Sequence, residues 1–253
     1  MVEIVGRKVE SVPNKVFIKG TDGIYAFPRR ISALETTVKI DSQDYALVQE
    51  GNQAVVAKSM EQQYNGHNHK DSIVYILKAG LTLPRASRFT KQLVNVNQAL
   101  QGKGVLYDAS GNLIEGDRLK AYAHTLNHDC WVWLPESFEK GRGYLDLDII
   151  TISGLDEKGN PVISREPLEK CLEENCWADL ASVNSQGFPT QKVRSEKYEP
   201  GKTVYSWYPR KNSVAWFYAY SDKAIIDCYR DVGYSSAALG VFMCAEGAEK
   251  NSK

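Results

Sequence analysis

The chain has 253 residues, 43% hydrophobic and 25% charged, with Lys plus Arg balancing Asp plus Glu at 31 each. That length supports one large domain, or a main domain with a small companion, around a substantial core. The balanced charge excludes an overall field drawing in nucleic acid or anionic lipid. The opening "MVEIVGRKVESVPNK" has no apolar stretch of signal-peptide type, and no run reaches the length of a membrane span. No nucleic-acid partner and no membrane insertion are therefore expected. The five scattered cysteines read as buried, reduced thiols.

Residues 1–64 read as a β-rich segment or small domain. "KVFIKG", "GIYAFP", "TTVKI", "YALVQE" and "QAVVAK" are short β-branched or aromatic runs, punctuated by "TDG", "DSQD" and "EGN". Two helices follow. In "TLPRASRFTKQLVNVNQAL", Phe89, Leu93, Val96 and Leu100 share a face, with Thr82 as the expected cap and Pro84 in the first turn. In "EGDRLKAYAHTLN", Leu119, Tyr122, Ala123 and Leu126 do the same. Between them "LYDASGNLI" reads as a hairpin. Its Asp-x-x-Gly-Asn turn recurs in "LDEKGNPVI", because Asp bonds the backbone two residues on and Gly accepts positive φ.

Beyond "CWVWLPESF", strands dominate through "YLDLDIITISGL", a short helix is expected around "EPLEKCLEENCWADL", and an aromatic tail closes the chain. The expected class is α+β, with helices early and a mainly antiparallel sheet late.

Little recognisable catalytic chemistry lies on the way. "EPGKT" has Glu196 where a phosphate-binding loop needs its first glycine, and strand-like residues follow it. His67 and His69 in "HNH" lack a third ligand and read as solvated turn residues. Cys171 and Cys176 fit no zinc-knuckle spacing. Asp146 and Asp148 alternate with leucines as in an amphipathic strand. No metal and no cofactor are expected.

The aromatics concentrate between Tyr205 and Tyr234. In "VAWFYAYS" one face would carry Val214, Trp216, Tyr218 and Tyr220, and the other Ala215, Phe217 and Ala219. Both faces cannot belong to one core, so one aromatic row is expected to be displayed, with Trp216 and Tyr208 as anchors. "AIIDCYRDVGYSS" (224–236) follows with no evident period, and Ile225 and Ile226 are expected to be exposed there.

The ending "AALGVFMCAE" resembles the closing strand of the formylglycine-generating-enzyme type of C-type lectin fold, and "TLPRASRF" resembles that family's early helix motif. The likeness covers roughly residues 80–246. Variable proteins of diversity-generating retroelements use this fold and diversify just upstream of the closing strand. The resemblance implies a C-type lectin-like domain over 65–253, with a variable ligand-binding region at about 205–236. Adenine mutagenesis of Asn codons never yields Lys, Glu, Gln, Met or Trp, and every residue from Ile225 to Ser236 lies within the permitted menu. The implied protein is a non-enzymatic binder of a variable protein or cell-surface ligand, acting in surface or host recognition from a virion or cell surface. The implied contacts are Tyr208, Trp216, Tyr218, Tyr220, Ile225, Ile226, Asp227, Tyr229, Asp231, Val232, Tyr234 and Ser235. A formylglycine-type oxidase is the alternative, although Cys228 lacks a nearby second cysteine in sequence; a fixed viral tail protein is another.

Overall fold

The computed structural model describes residues 66–108 and 112–246, together with the backbone of five upstream strands. Those strands are β1 (Glu10–Val12), β2 (Lys15–Lys19), β3 (Ile24–Pro28), β4 (Tyr45–Glu50) and β5 (Gln53–Ser59). Four of the five runs expected before residue 64 are among them, while "TTVKI" lies outside the described residues.

Three helices follow: α1 (His69–Lys78), α2 (Ala86–Leu100) and α3 (Gly116–His128). Then come β6 (Cys130–Lys140), β7 (Leu147–Leu155), β8 (Pro161–Pro167), β9 (Cys176–Asp179), β10 (Thr203–Trp207), β11 (Ser213–Tyr220), β12 (Lys223–Asp231) and β13 (Cys244–Glu246). Strands six to twelve form one sheet in the order β8-β7-β6-β11-β12-β10-β9. It is antiparallel except that β10 runs parallel to β12. The class is α+β with a mixed sheet.

Period-two alternation decides which way each central strand faces. Ala215, Phe217 and Ala219 of β11, with Ala224, Ile226 and Cys228 of β12, point to an inner face. There they meet Phe89, Leu93 and Val96 of α2 and Leu126 of α3 in one buried cluster. The alanines leave room for the helices, and Phe217 fills the gap against Phe89 with ring centroids 4.7 Å apart. Asn97 and Asn127 lock α2 to α3 through reciprocal side-chain amide bonds of 3.2 and 3.0 Å, each also donating to the carbonyl one turn back.

Three expectations are corrected by the structure. First, His69 is no solvated turn residue: it opens α1, is buried, and contacts Trp133 edge-on while donating from Nε2 to Leu134 O at 2.7 Å. Second, Thr82 does not cap α2. The helix begins at Ala86, whose N–H donates to the buried carboxylate of Glu136, while the Thr82 backbone pairs with Cys244. Third, residues 168–175 form no helix, because their amides are claimed by other segments: Leu168 N–H by Leu147 O, Glu169 N–H by Gln186, Leu172 N–H by Pro189 O. Residues 223–231 form a strand inside the sheet.

The second Asp-x-x-Gly-Asn turn follows expectation, with Gly159 at φ +81°, while residues 109–111 of the first lie outside the described residues. Asp156 accepts from Lys158 and Asn160, and Asp108 accepts from Asn112. The closing segment is buried from Leu239 to Cys244, but it bridges rather than joins the large sheet. Gly240 exchanges backbone bonds with Trp131 and Trp133, and β13 then pairs antiparallel with β5.

A tight turn holds the start of α2 in place. Gly187 has φ +94° and lies so close that an added Cβ would sit 2.1 Å from Ser87 N. Gly187→Ala must strain the backbone and push the turn off the helix. A loss of at least about 3 kcal/mol in urea unfolding is expected, whereas Gly154→Ala, with open space around it, should change little.

Candidate functional site: the outer face of the sheet

Among the described residues, the face opposite α2 and α3 is covered at one end only. Ile73 and Ile76 of α1, with Leu239, Val241 and Met243 of the closing segment, pack over Trp133, Val214 and Trp216. Beyond that cover, the pairing register aligns aromatic side chains into rows across the strands. Trp177, Tyr205, Ile225, Tyr218 and Trp131 are consecutive partners across β9, β10, β12, β11 and β6. The neighbouring row runs Trp207, Asp227, Trp216, Trp133. Cross-strand neighbours on one face are close enough for rings to touch. Trp131 stacks on Tyr218 at 5.1 Å and meets Tyr220 edge-on at 5.2 Å, while Trp207 meets Tyr229 at 5.5 Å.

A bulge explains the absence of period in "AIIDCYRDVGYSS". Val214 pairs with Arg230 but Trp216 pairs with Asp227, so β12 carries one extra residue opposite Ala215. Tyr229 then contacts Trp207, and Arg230 lies over the rings of Trp216 and Tyr234, so two consecutive side chains share the outer face.

The expected contact residues divide along this strand. Tyr229, Asp231, Val232 and Ser235 are exposed, as is Tyr220 at the end of β11; Tyr208, Tyr218 and Tyr234 are half-buried. The expectation that Ile225 and Ile226 are exposed is corrected. Ile226 points into the core at 0% exposure, and Ile225 faces outward but is enclosed between Tyr205 and Tyr218 at 4%. Asp227 and Trp216 also lie on the outer face and are buried. They form the buried floor of that face.

Asp227 organises that floor. Its Oδ1 accepts the Tyr229 N–H at 2.9 Å, and its Oδ2 stands 4.0 Å from Arg230 Nε. Burial raises its pKa, against the pull of the Tyr229 amide, the Trp216 indole and Arg230. The Trp216 N–H lies close enough to act on this carboxyl, yet it has no partner within hydrogen-bond geometry. Burial also pushes the Tyr218 phenol up to about 12, so it keeps its proton and offers both a donor and an acceptor at neutral pH.

Trp131 and Trp177 lie outside the expected region 205–236, and Tyr205, Trp207 and Arg210 lie within it without being named as contacts. Trp131 and Trp177 reach the face through pairing register with Tyr218 and Tyr205, which no local pattern reveals. Arg210 sits between Tyr208 and Tyr229, with its guanidinium carbon 4.8 and 4.3 Å from the two ring centroids. The signal available was composition: Tyr, Trp and Arg are the residue types that dominate interface energetics.

A separate concavity of about 630 Å³ lies at the β6–β7–β8 end, lined by Lys140, Gly141, Arg142, Asp148, Arg165 and Pro167. Asp148 there is tied to the Arg142 N–H at 2.8 Å and to Arg165 at 3.2 Å, as befits a structural corner. Among the described residues no three His, Cys, Asp or Glu side chains converge as metal ligands, and no helix is long and apolar enough to cross a membrane.

No family model, curated protein or solved structure matches this chain.

Proposed function

We propose that this chain is a non-enzymatic, ligand-binding variable protein of a diversity-generating retroelement, with a C-type lectin-like platform presenting its outer sheet face to a protein or cell-surface ligand. The carrying observation is the split within one strand and its following turn. Ala224, Ile226 and Cys228 are enclosed on the inner face, while Tyr229, Asp231, Val232 and Ser235 are exposed and Tyr234 is half-exposed. Positions of the second kind can change without disturbing the core, which a diversified surface requires. The half-exposed rings around them offer large contact area at low entropic cost. Display from a virion or microbial surface is the setting such a surface fits.

The oxidase alternative draws less support. Cys228 and Cys244 are both buried, and burial raises the Cys228 thiol well above its usual range, which disfavours a reactive thiolate.

Sequencing the source locus tests the proposal. The expected result is a near-copy repeat whose adenines align with the codons of Tyr218, Tyr220, Tyr229, Asp231, Val232, Tyr234 and Ser235, beside a reverse transcriptase gene. Absence of the repeat, with even drift among sibling isolates, would instead identify a fixed structural protein.

A further inference from the structure

We infer that the corner of the outer face around Arg210 is an anchor for a carboxylate, so that the partner docks there through an acidic segment of protein. This rests on the outer face being a recognition surface.

Arg210 is held rather than free. Its guanidinium lies over both the Tyr208 and Tyr229 rings. Its backbone sits in a turn after the buried Pro209, and the Ser213 hydroxyl lies 2.6 Å from both Arg210 O and Cys228 O. Yet the charge is unanswered. Its Nε is buried without a hydrogen-bond partner, and among the described residues neither Arg210 nor the exposed Lys211 has a carboxylate within ion-pair distance. Nearby Arg230 differs, because it shares Asp227.

A guanidinium presents five N–H donors in a rigid fork that matches a carboxylate, and a fork already ordered by two rings loses little entropy on pairing. The residue is only half-buried overall, so an incoming acid can reach it from the solvent side. Lys211 adds a second cation, while Trp207 and Tyr229 supply adjoining apolar area. An acidic peptide bearing occasional apolar residues satisfies each of these features.

The test uses the full chain and a fluorescein-labelled hexaglutamate peptide, read by anisotropy at low salt. The expected result is saturable binding that weakens as salt rises and drops at least ~10-fold in Arg210→Gln. Arg210→Lys should recover only part of it, because the planar fork is lost. Unchanged thermal midpoints for both variants would confirm that folding is intact. If a variant loses stability, the same comparison is made with Lys211→Gln, expected to weaken binding about threefold. No binding at millimolar peptide, or equal binding by Arg210→Gln, overturns the inference. So does displacement by inorganic phosphate at concentrations matching the peptide's, which would mark a general oxyanion site. None of these results depends on whether the locus carries a repeat, so failure here and failure of the retroelement reading are separable.

Discussion

Trp216→Ala is expected to cost about 3–5 kcal/mol of stability, whereas Tyr220→Ala should cost about 1 kcal/mol or less. Both residues lie on β11, on the same face, four positions apart. Trp216 is 2% exposed, stacked on Tyr218 at 4.5 Å and roofed by α1 and the closing segment. Tyr220 is 36% exposed at the strand end, touching Trp131 and Tyr218 by its edges. Removing the first leaves a cavity that rigid neighbours cannot fill, while removing the second exposes ring surface that water already reaches. Urea unfolding of the two variants measures the difference directly. Similar losses would mean that the outer face is uniformly structural and has no displayed zone.

The second large effect is on pH dependence. Glu136 is buried at the start of α2, where burial pushes it from 4.5 up to about 7 despite the Arg85 guanidinium at 3.3 Å and the Ala86 N–H. His69 is buried against Trp133, and burial pulls it from 6.5 down to about 4. A carboxyl raised in the folded state contributes stability in full below pH 4.5 and loses it as pH climbs to about 7. The histidine behaves oppositely: its contribution is full above pH 6.5 and is lost as pH falls towards 4. Between these limits each slope is about 1.4 kcal/mol per pH unit, and the signs cancel. Glu136 and His69 should therefore leave almost no net slope between them from pH 6.5 to 4.5, and the raised Asp227 and lowered His128 oppose each other in the same sense. Glu136→Gln removes one side of the balance while keeping an acceptor for the Ala86 amide. Its stability should fall by about 3 kcal/mol across that window. The carboxyls held low, Asp148, Asp156 and Glu199, lose their contributions only at more acid pH. A flat profile in the variant would show that His69 does not resist protonation.

Much of this architecture was written in local pattern. The i, i+3, i+4 spacing of Phe89, Leu93 and Val96 identified α2, and the alternation in "VAWFYAYS" separated the inner and outer faces of β11 correctly. Failures arose where tertiary partners override local pattern. Leu168, Cys171 and Leu172 have helical spacing, yet loops claim the amides that a helix would need. Helix α1 is not among the helices expected, because the two histidines of "HNH" read as solvated turn residues. Asn68 in fact caps α1 by accepting the Asp71 N–H, and His69 folds inward. The segment 224–236 departs from expectation in its first half, at Ile225, Ile226 and Asp227, for a different reason. A bulge breaks the period midway, so its first half is core strand and its second half is surface, and a count of residue types cannot locate the join.

The separation of folding positions from displayed positions is tested most directly by two libraries built on the Asn-derived menu. One randomises Tyr229, Asp231, Val232 and Ser235; the other randomises Ala224, Ile226 and Cys228. The folded fraction is read by protease resistance of displayed clones. Most of the first library should resist proteolysis as the parent does, and almost none of the second should. Comparable survival in both, or collapse of the first, would show that the strand cannot serve as a fixed support for changing side chains.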